Sequence, residues 1–272
     1  MRSNQIRIIV LLISLNITIF SYASSHNCAD KTLSAPQDIA LRTEQAKVLR
    51  QLLDNSGDRV IALFRQGQSL SDYGLTFSHG AYAVKTLTGH WRVYHNLNEC
   101  GTDRSNLYIQ GLYQFLDDDL SENTVATLHF SFDLQERLLT TLTNRQKRQD
   151  LHQAHYNMIA YPFSIEMQNS NGWILMVLGA AVSSQVTSLS TGIDWLTSQS
   201  YVSSSLSVSF VKRTMADMFI PHISISDQPN TNIIYFNSGD SLLNFMNNYG
   251  KKQINCEHGN WGSSVCLFAL PN

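Results

Sequence analysis

Two short apolar runs separated by one turn constrain this chain more than any other feature of its sequence. The runs cover residues 76–85 and 90–97, and the residues between them include Thr-Leu-Thr-Gly at 86–89. A hairpin centred on this turn pairs residues whose numbers sum to about 174–177. His79 then faces His95, or Asn98 if the register shifts by three. A histidine held by such a neighbour is an oriented general base, and the alternative is a pair of purely structural strand histidines.

The first 23 residues have the three parts of a secretory signal peptide. Arg2 and Arg7 give a positive start, residues 8–20 form an apolar segment, and Ser-Tyr-Ala at 21–23 is a small-x-small cleavage site. We therefore predict cleavage after Ala23 and a periplasmic or secreted protein, with a retained N-terminal anchor as the alternative. The rest of the chain has no apolar run long enough to span a bilayer. Residues 24–272 are predicted to form a single domain, with a core at about 59–200 and a C-terminal extension at 201–272.

The charge balance excludes one broad class of partner. The chain has 19 Lys and Arg against 21 Asp and Glu. No basic block or aromatic-basic stripe is present, so nucleic acid is not an expected partner. The sequence also contains no phosphate-binding or dinucleotide-binding glycine loop, and we predict neither a cofactor nor a metal site.

Four cysteines in an exported chain predict disulfide bonds. Cys256 and Cys266 are close in sequence and flank a glycine-rich loop, so we predict that they pair. Cys28 and Cys100 then form the second bridge, although four cysteines allow three pairings. A reactive thiol is the alternative. In particular, Asn-Cys-Glu-His at 255–258 is similar to the nucleophile motif of permuted acyltransferases, but here a loop follows the motif rather than an apolar helix.

The remaining patterns mix helices and strands without a regular alternation, which favours an α+β fold. Helical spacing and capping residues predict helices over 37–55, 107–116, 133–145, 172–184, 190–200 and 238–249. Alternation and short apolar runs predict strands over 59–64, 125–132, 158–161, 206–211, 222–226 and 233–236, in addition to the hairpin.

The polar run Gln168, Asn169, Ser170 and Asn171 precedes Gly172 and Trp173 at the start of the predicted apolar helix. Backbone N–H groups and the helix dipole at such a position stabilise a nucleophile and a developing oxyanion. Ser170 is therefore a candidate nucleophile. Serine and asparagine are also the commonest N-caps, so the alternative role of Ser170 is to cap the helix.

The order of the sequence blocks resembles the bacterial domain-of-unknown-function family numbered 2145. The matching stretches are RVIALFRQG (59–67), LSDYGLTFSHG (70–80), WRVYHNLNECG (91–101), LYIQGLYQF (107–115), YNMIAYPFS (156–164) and QNSNGW (168–173). They cover most of residues 28–200. This resemblance implies membership of a family of exported bacterial proteins and no particular activity.

A wider resemblance links the order histidine, polar residue and helix-borne nucleophile to circularly permuted NlpC-type papain-like enzymes. It implies a papain-like core with an antiparallel sheet and packed helices, His79 as base, His95 as its orienting partner and Ser170 as nucleophile. Supporting or substrate-binding roles would fall to the neighbouring polar and aromatic residues Asn98, Gln168, Asn169, Asn171 and Trp173. This chain has serine where the superfamily uses cysteine, and a hydroxyl is a weaker nucleophile than a thiolate.

Together these features predict a hydrolase or acyltransferase acting on amide or ester bonds. Peptidoglycan peptides are the first expected substrates, and lipid esters are the second. The competing hypothesis is a non-catalytic envelope binding module that uses the same cleft.

Overall fold

The computed structural model describes residues 35–67, 70–99, 101–117, 120, 122–208, 223–229, 232–251, 256–257 and 262–272. Within these ranges the helices are α1 Pro36–Asn55, α2 Leu112–Asp117, α3 Phe132–Thr143, α4 Arg145–Asp150, α5 Ser170–Val182, α6 Leu189–Ser198 and α7 Gly239–Met246. The strands are β1 Val60–Arg65, β2 His79–Lys85, β3 Trp91–Asn98, β4 Ser105–Gln110, β5 Thr124–His129, β6 Ser204–Ser207, β7 Ile233–Phe236 and β8 Val265–Ala269. The predicted signal peptide with its cleavage site, Cys28 and Cys100 lie outside the described residues.

A six-stranded antiparallel sheet is the centre of the fold. Its strand order is β4-β3-β2-β1-β5-β8, and β6 and β7 form a separate two-stranded sheet. Every residue of β1 is buried, because helices cover both faces of the sheet at this position. One face packs against α1 and α2, and the other packs against α3, α5 and α7. The predicted α+β class is confirmed.

The predicted hairpin is present, and its register can be read from the paired residues. Tyr82 pairs with Tyr94 and Ala83 with Val93, so the residue numbers sum to 176, within the predicted range. Gly89 in the turn has φ of 82°, a left-handed conformation that favours glycine. The β2–β3 pairing ends at Tyr82 and Tyr94. Beyond this point the two strands no longer pair with each other. His79 pairs with Arg65 on β1, and His95 pairs with Tyr108 on β4.

Helix α5 is apolar on all sides, and nearly all of its residues are buried. A helix with no polar face is stable only when protein surrounds it completely. Here the sheet, α3 and α6 surround it. The predicted helix at 172–184 is therefore confirmed, and it begins two residues earlier at Ser170.

Several local predictions were wrong. The predicted helix at 107–116 is instead β4 followed by α2, because Leu107 and Ile109 alternate along a strand that ends before Gly111. The predicted strand at 158–161 is a turn, since the Asn157 side chain accepts a hydrogen bond from the N–H of Ile159. Of the predicted strand at 222–226, the described residues 223–226 form no strand. Helix α3 begins at Phe132, one residue before the predicted start, and Ser131 is its cap.

The C-terminal residues contribute directly to the main sheet. Strand β8, which the sequence patterns did not predict, pairs with β5 at the sheet edge. The predicted disulfide between Cys256 and Cys266 is present, with Cα atoms 5.6 Å apart. Among the described residues, no helix has the length and apolar character needed to cross a membrane.

A buried polar network joins the end of α1 to β5 and α3. Asp58 accepts hydrogen bonds from Gln135 Nε2 at 2.7 Å and from His129 Nδ1 at 2.8 Å. His129 also contacts the hydroxyl of Thr127 at 2.8 Å. These contacts pair the Asp58 carboxylate and keep its pKa below the usual value despite burial. Removing one partner from such a network leaves the others buried without compensation.

We predict that Asp58→Ala lowers the free energy of unfolding by about 3 kcal/mol, because two buried donors, on His129 and Gln135, lose their acceptor and each unpaired group costs about 1–3 kcal/mol. Glu44→Ala is the control, because Glu44 pairs with Lys47 at an exposed position. The control is expected to cost about 1 kcal/mol or less, as surface pairs do. Denaturant titration of both variants measures the difference, and equal losses would contradict this role of the network.

Candidate functional site

His79 and His95 lie in one buried chain of hydrogen bonds. His79 Nε2 is 3.1 Å from His95 Nδ1, and His95 Nε2 is 3.0 Å from Gln110 Oε1. His79 is 8% exposed and His95 is fully buried. The 176 register would place His79 level with Leu97, so the two rings meet diagonally where the strands cease to pair. The sequence therefore predicted correctly that His95 contacts His79. The third residue of the hydrogen-bond chain, Gln110, lies on β4.

Arg65 and Phe115 surround the histidine chain. Arg65 pairs with His79 across the β1–β2 ladder, and its guanidinium lies 5.4 Å from the Phe115 ring centre. The Phe115 ring is also 6.2 Å from the His79 ring and 6.1 Å from the His95 ring. Burial lowers the pKa of His79 well below 6.5, and the charges of Arg65 and His95 lower it further. His79 is consequently neutral near pH 7 and carries one unprotonated ring nitrogen.

Asn171 connects α5 to the residues on either side of His79. Its Oδ1 accepts a hydrogen bond from the N–H of Gly80 at 2.9 Å. Its Nδ2 donates to the carbonyl oxygens of Ser78 and Asn237, both at 3.0 Å. The side chain thus satisfies backbone groups of β2 at the level where β2 no longer pairs with β3. This arrangement fixes the first turn of α5 beside the backbone of His79.

Ser170 is the first residue of α5, but it is not the cap. The cap is Asn169, whose Oδ1 accepts a hydrogen bond from the N–H of Gly172 at 2.8 Å. Ser170 is 8% exposed, and its hydroxyl makes no hydrogen bond to any residue within the described ranges. His79 Nδ1 likewise makes none to them. A hydrogen bond between Ser170 and His79 is therefore absent from this conformation.

The histidine chain and α5 pack on different faces of the sheet. His79 and His95 contact Phe115 in the cluster formed with α1 and α2, whereas α5 lies in the opposite cluster. Asn171 joins the two sets at the end of β2. The candidate site is therefore the region around Ser78, His79 and Gly80. Ser170 lies next to this region in the chain of α5, between the cap Asn169 and Asn171.

The other predicted residues have structural contacts. Gln168 bonds to the Leu151 carbonyl and to the N–H of Gln153, and Asn169 donates to the carbonyls of Met158 and Asn237. Trp173 is fully buried in the core. Asn98 pairs with Ser105 at the end of β3, so His95 rather than Asn98 contacts His79.

Three residues of the site were missed by the sequence analysis. Gln110 was assigned to a helix, and only its position on β4, opposite Val93, places it near His95. Arg65 and Phe115 belong to segments whose contacts with the histidines are long-range. The alternation of Leu107 and Ile109 indicates a strand after β3, and pairing of that strand with β3 would have placed Gln110 near His95.

The family model described as "Uncharacterized protein conserved in bacteria (DUF2145)" matches residues 52–246. The chain belongs to this family, as its sequence blocks predicted. The matched range includes the hairpin, the histidine chain, the cap of α5 and α7. Neither the curated proteins nor the solved structures contain a significant match to the chain.

The depressed pKa of His79 predicts a direction for the pH dependence of stability. Because the unfolded histidine binds a proton more readily, the stabilising contribution is complete above about pH 6.5 and is lost progressively below it. His152 acts in the same direction, since burial and then Arg104 lower its pKa to about 4.

We therefore predict that the free energy of unfolding falls as the pH decreases from 7.5 to 5.5, and that His79→Gln makes this fall smaller. Denaturant titrations at several pH values measure the effect. His90→Gln is the control, because His90 is exposed and should leave the pH dependence unchanged. An identical fall in the wild type and His79→Gln would contradict the assignment.

Proposed function

We propose that this member of the family is an exported hydrolase or acyltransferase that acts on amide or ester bonds. Ser170 is the nucleophile, His79 the general base, and His95 with Gln110 orients His79. The observation that carries the proposal is the hydrogen-bond chain from His79 through His95 to Gln110, at 3.1 and 3.0 Å. Such a chain fixes the orientation of the first imidazole and leaves its other nitrogen for proton transfer.

The chemistry assigns one role to each ring nitrogen of His79. Nε2 contacts His95, and Nδ1 has no hydrogen-bond partner in the described part of the chain. In the proposed reaction Ser170 Oγ attacks the acyl carbon, and its proton passes to His79 Nδ1. The amine or alcohol leaves with that proton. Water then attacks the acyl-serine ester, His79 takes one proton from it, and the acid is released as Ser170 recovers its hydroxyl proton.

The N-terminus of α5 supports the charge changes of this reaction. Ser170 occupies the first turn, where backbone N–H groups point away from the helix and the dipole is positive. Negative charge on the serine oxygen and on the tetrahedral intermediate is stabilised there. Arg65, beside His79, adds a second positive charge to the site. His79 packs on the face of the sheet opposite α5. The proposed mechanism therefore requires the end of β2 to rearrange when substrate binds and to bring His79 Nδ1 to Ser170 Oγ.

The proposed setting is the cell envelope. The sequence at 1–23 predicts export, and the Cys256–Cys266 disulfide fits an oxidising compartment in a bacterial family. The resemblance to permuted NlpC-type enzymes suggests peptidoglycan peptides as the first substrates and lipid esters as the second. A permuted papain-like core is part of this proposal.

One observation favours a second candidate function. The hydrogen bond between Ser170 and His79 is absent, and serine occupies a position where the proposed superfamily has cysteine. These features also suit a binding module in which the cleft holds a peptide or acyl group without turnover. Substitution of Ser170 separates the two, because catalysis requires the hydroxyl and binding does not.

We predict that Ser170→Ala and His79→Gln each reduce hydrolysis of a p-nitrophenyl ester by at least about 100-fold, while the fold is retained. Ser170→Cys is expected to exceed the wild-type rate, since a thiolate is the stronger nucleophile. The assay is repeated with release of peptides from purified peptidoglycan.

Ser183→Ala, at the other end of α5, is the matched control and should retain the wild-type rate. Unchanged rates in Ser170→Ala, or a wild-type rate equal to that of buffer, would exclude the catalytic function. Peptide binding that persists in Ser170→Ala would then support the binding module.

A further inference from the structure

Asn96 is a fully buried polar residue whose side chain has no hydrogen-bond partner in the described part of the chain. It lies on β3, its exposed fraction is 0%, and neither Oδ1 nor Nδ2 forms a hydrogen bond to any residue in the described ranges. Buried amide groups are almost always hydrogen-bonded, because leaving them unpaired is costly. An exception next to a candidate site indicates a group retained for a purpose other than stability.

The order of residues along β3 places Asn96 on the face of the sheet that α5 covers, towards the first turn of the helix. Side chains alternate along β3, so His95 faces α2 whereas Tyr94 and Asn96 face α5. Tyr94 pairs with Tyr82, whose hydroxyl donates to the carbonyl of Ile174. Two residues further along, beyond the last β2–β3 pair, Asn96 lies towards the end of β2 that carries Gly80, whose N–H donates to Asn171. Because α5 runs alongside β2 in the same direction, Asn96 lies where the helix begins.

We propose that Asn96 and the first turn of α5 form a subsite for a carbonyl or carboxylate oxygen of the substrate. In the proposed reaction this is the oxygen of the acyl group that Ser170 attacks, so the inference rests on the proposed function. Asn96 Nδ2 donates one hydrogen bond to that oxygen, and a backbone N–H of the first helical turn donates another. These donors are strongest when the oxygen becomes negatively charged.

Strand β3 then contributes one residue to the proposed site from each of its two faces. His95 orients the base on one side of β3, and the next residue, Asn96, binds the oxygen on the other side. Asn96 is enclosed in the ligand-free fold, so binding requires local opening at the start of α5. An unpaired amide makes the closed state less stable and so reduces the cost of that opening.

Asn157 is a natural control within the same chain. It is also fully buried, but its Nδ2 donates to the Ser224 carbonyl at 2.7 Å and its Oδ1 accepts from the N–H groups of Ile159 and Ser224. Replacing either asparagine by leucine keeps a similar volume and removes the hydrogen-bonding groups. The two variants should therefore change stability in opposite directions.

The test compares Asn96→Leu with Asn157→Leu in melting temperature and in kinetics on a p-nitrophenyl ester. Asn96→Leu is expected to raise the melting temperature and to lower kcat by about 100- to 1,000-fold, with little change in KM. Asn157→Leu is expected to lower the melting temperature. The stabilisation of each protein by N-acetyl-D-alanine, a probe for a product-like carboxylate, is measured in parallel.

A lower melting temperature of Asn96→Leu, or an unchanged kcat in an active enzyme, would overturn the subsite and leave the proposed catalysis intact. A wild type without turnover, whose stabilisation by N-acetyl-D-alanine is lost in Asn96→Leu, would keep the subsite and exclude catalysis. Absence of both turnover and stabilisation would exclude both.

Discussion

The hydrogen bonds of the Asn171 side chain determine how the candidate site is assembled. Where β2 and β3 stop pairing, the carbonyl of Ser78 and the N–H of Gly80 lose the partners that a neighbouring strand would supply. Asn171 satisfies both groups and also bonds to the carbonyl of Asn237. Buried backbone groups must be paired. The Asn171 amide supplies the hydrogen bonds that a neighbouring strand would supply, and so it holds the start of α5 against the backbone on either side of His79.

The burial of α5 gives that contact its rigidity. The helix has no polar face and is enclosed by the sheet and by neighbouring helices, so its first turn has little freedom to shift. The Asn169 side chain accepts a hydrogen bond from the N–H of Gly172 and so fixes the residue at which α5 begins. On the far side of the sheet, His79 and His95 lie against Phe115, and Gln110 contacts His95. The site therefore forms where two well-packed layers meet at the end of one central strand.

The sequence predicted the local features of this arrangement and missed those that depend on distant pairing. The hairpin register, the contact of His79 with His95, the apolar helix and the Cys256–Cys266 bridge all follow from short-range patterns, and all are present. Strand β4, and Gln110 with it, was assigned to a helix because Leu107 to Leu116 is apolar at either period. Strand β8 was missed because its five residues are stabilised by pairing with β5, about 140 residues away. The sequence left open whether Ser170 is a nucleophile or the cap of α5, and the geometry identifies Asn169 as the cap.

Labelling of the full chain with a fluorophosphonate, followed by mass spectrometry of its peptides, tests whether Ser170 and His79 act as nucleophile and base. An activated serine reacts with this reagent, and an ordinary serine at a helix start does not. We expect modification of Ser170 in the wild type and its loss in His79→Gln, with no labelling of Ser183. An unmodified Ser170, or equal modification in His79→Gln, would contradict the assignment of these two residues as nucleophile and base.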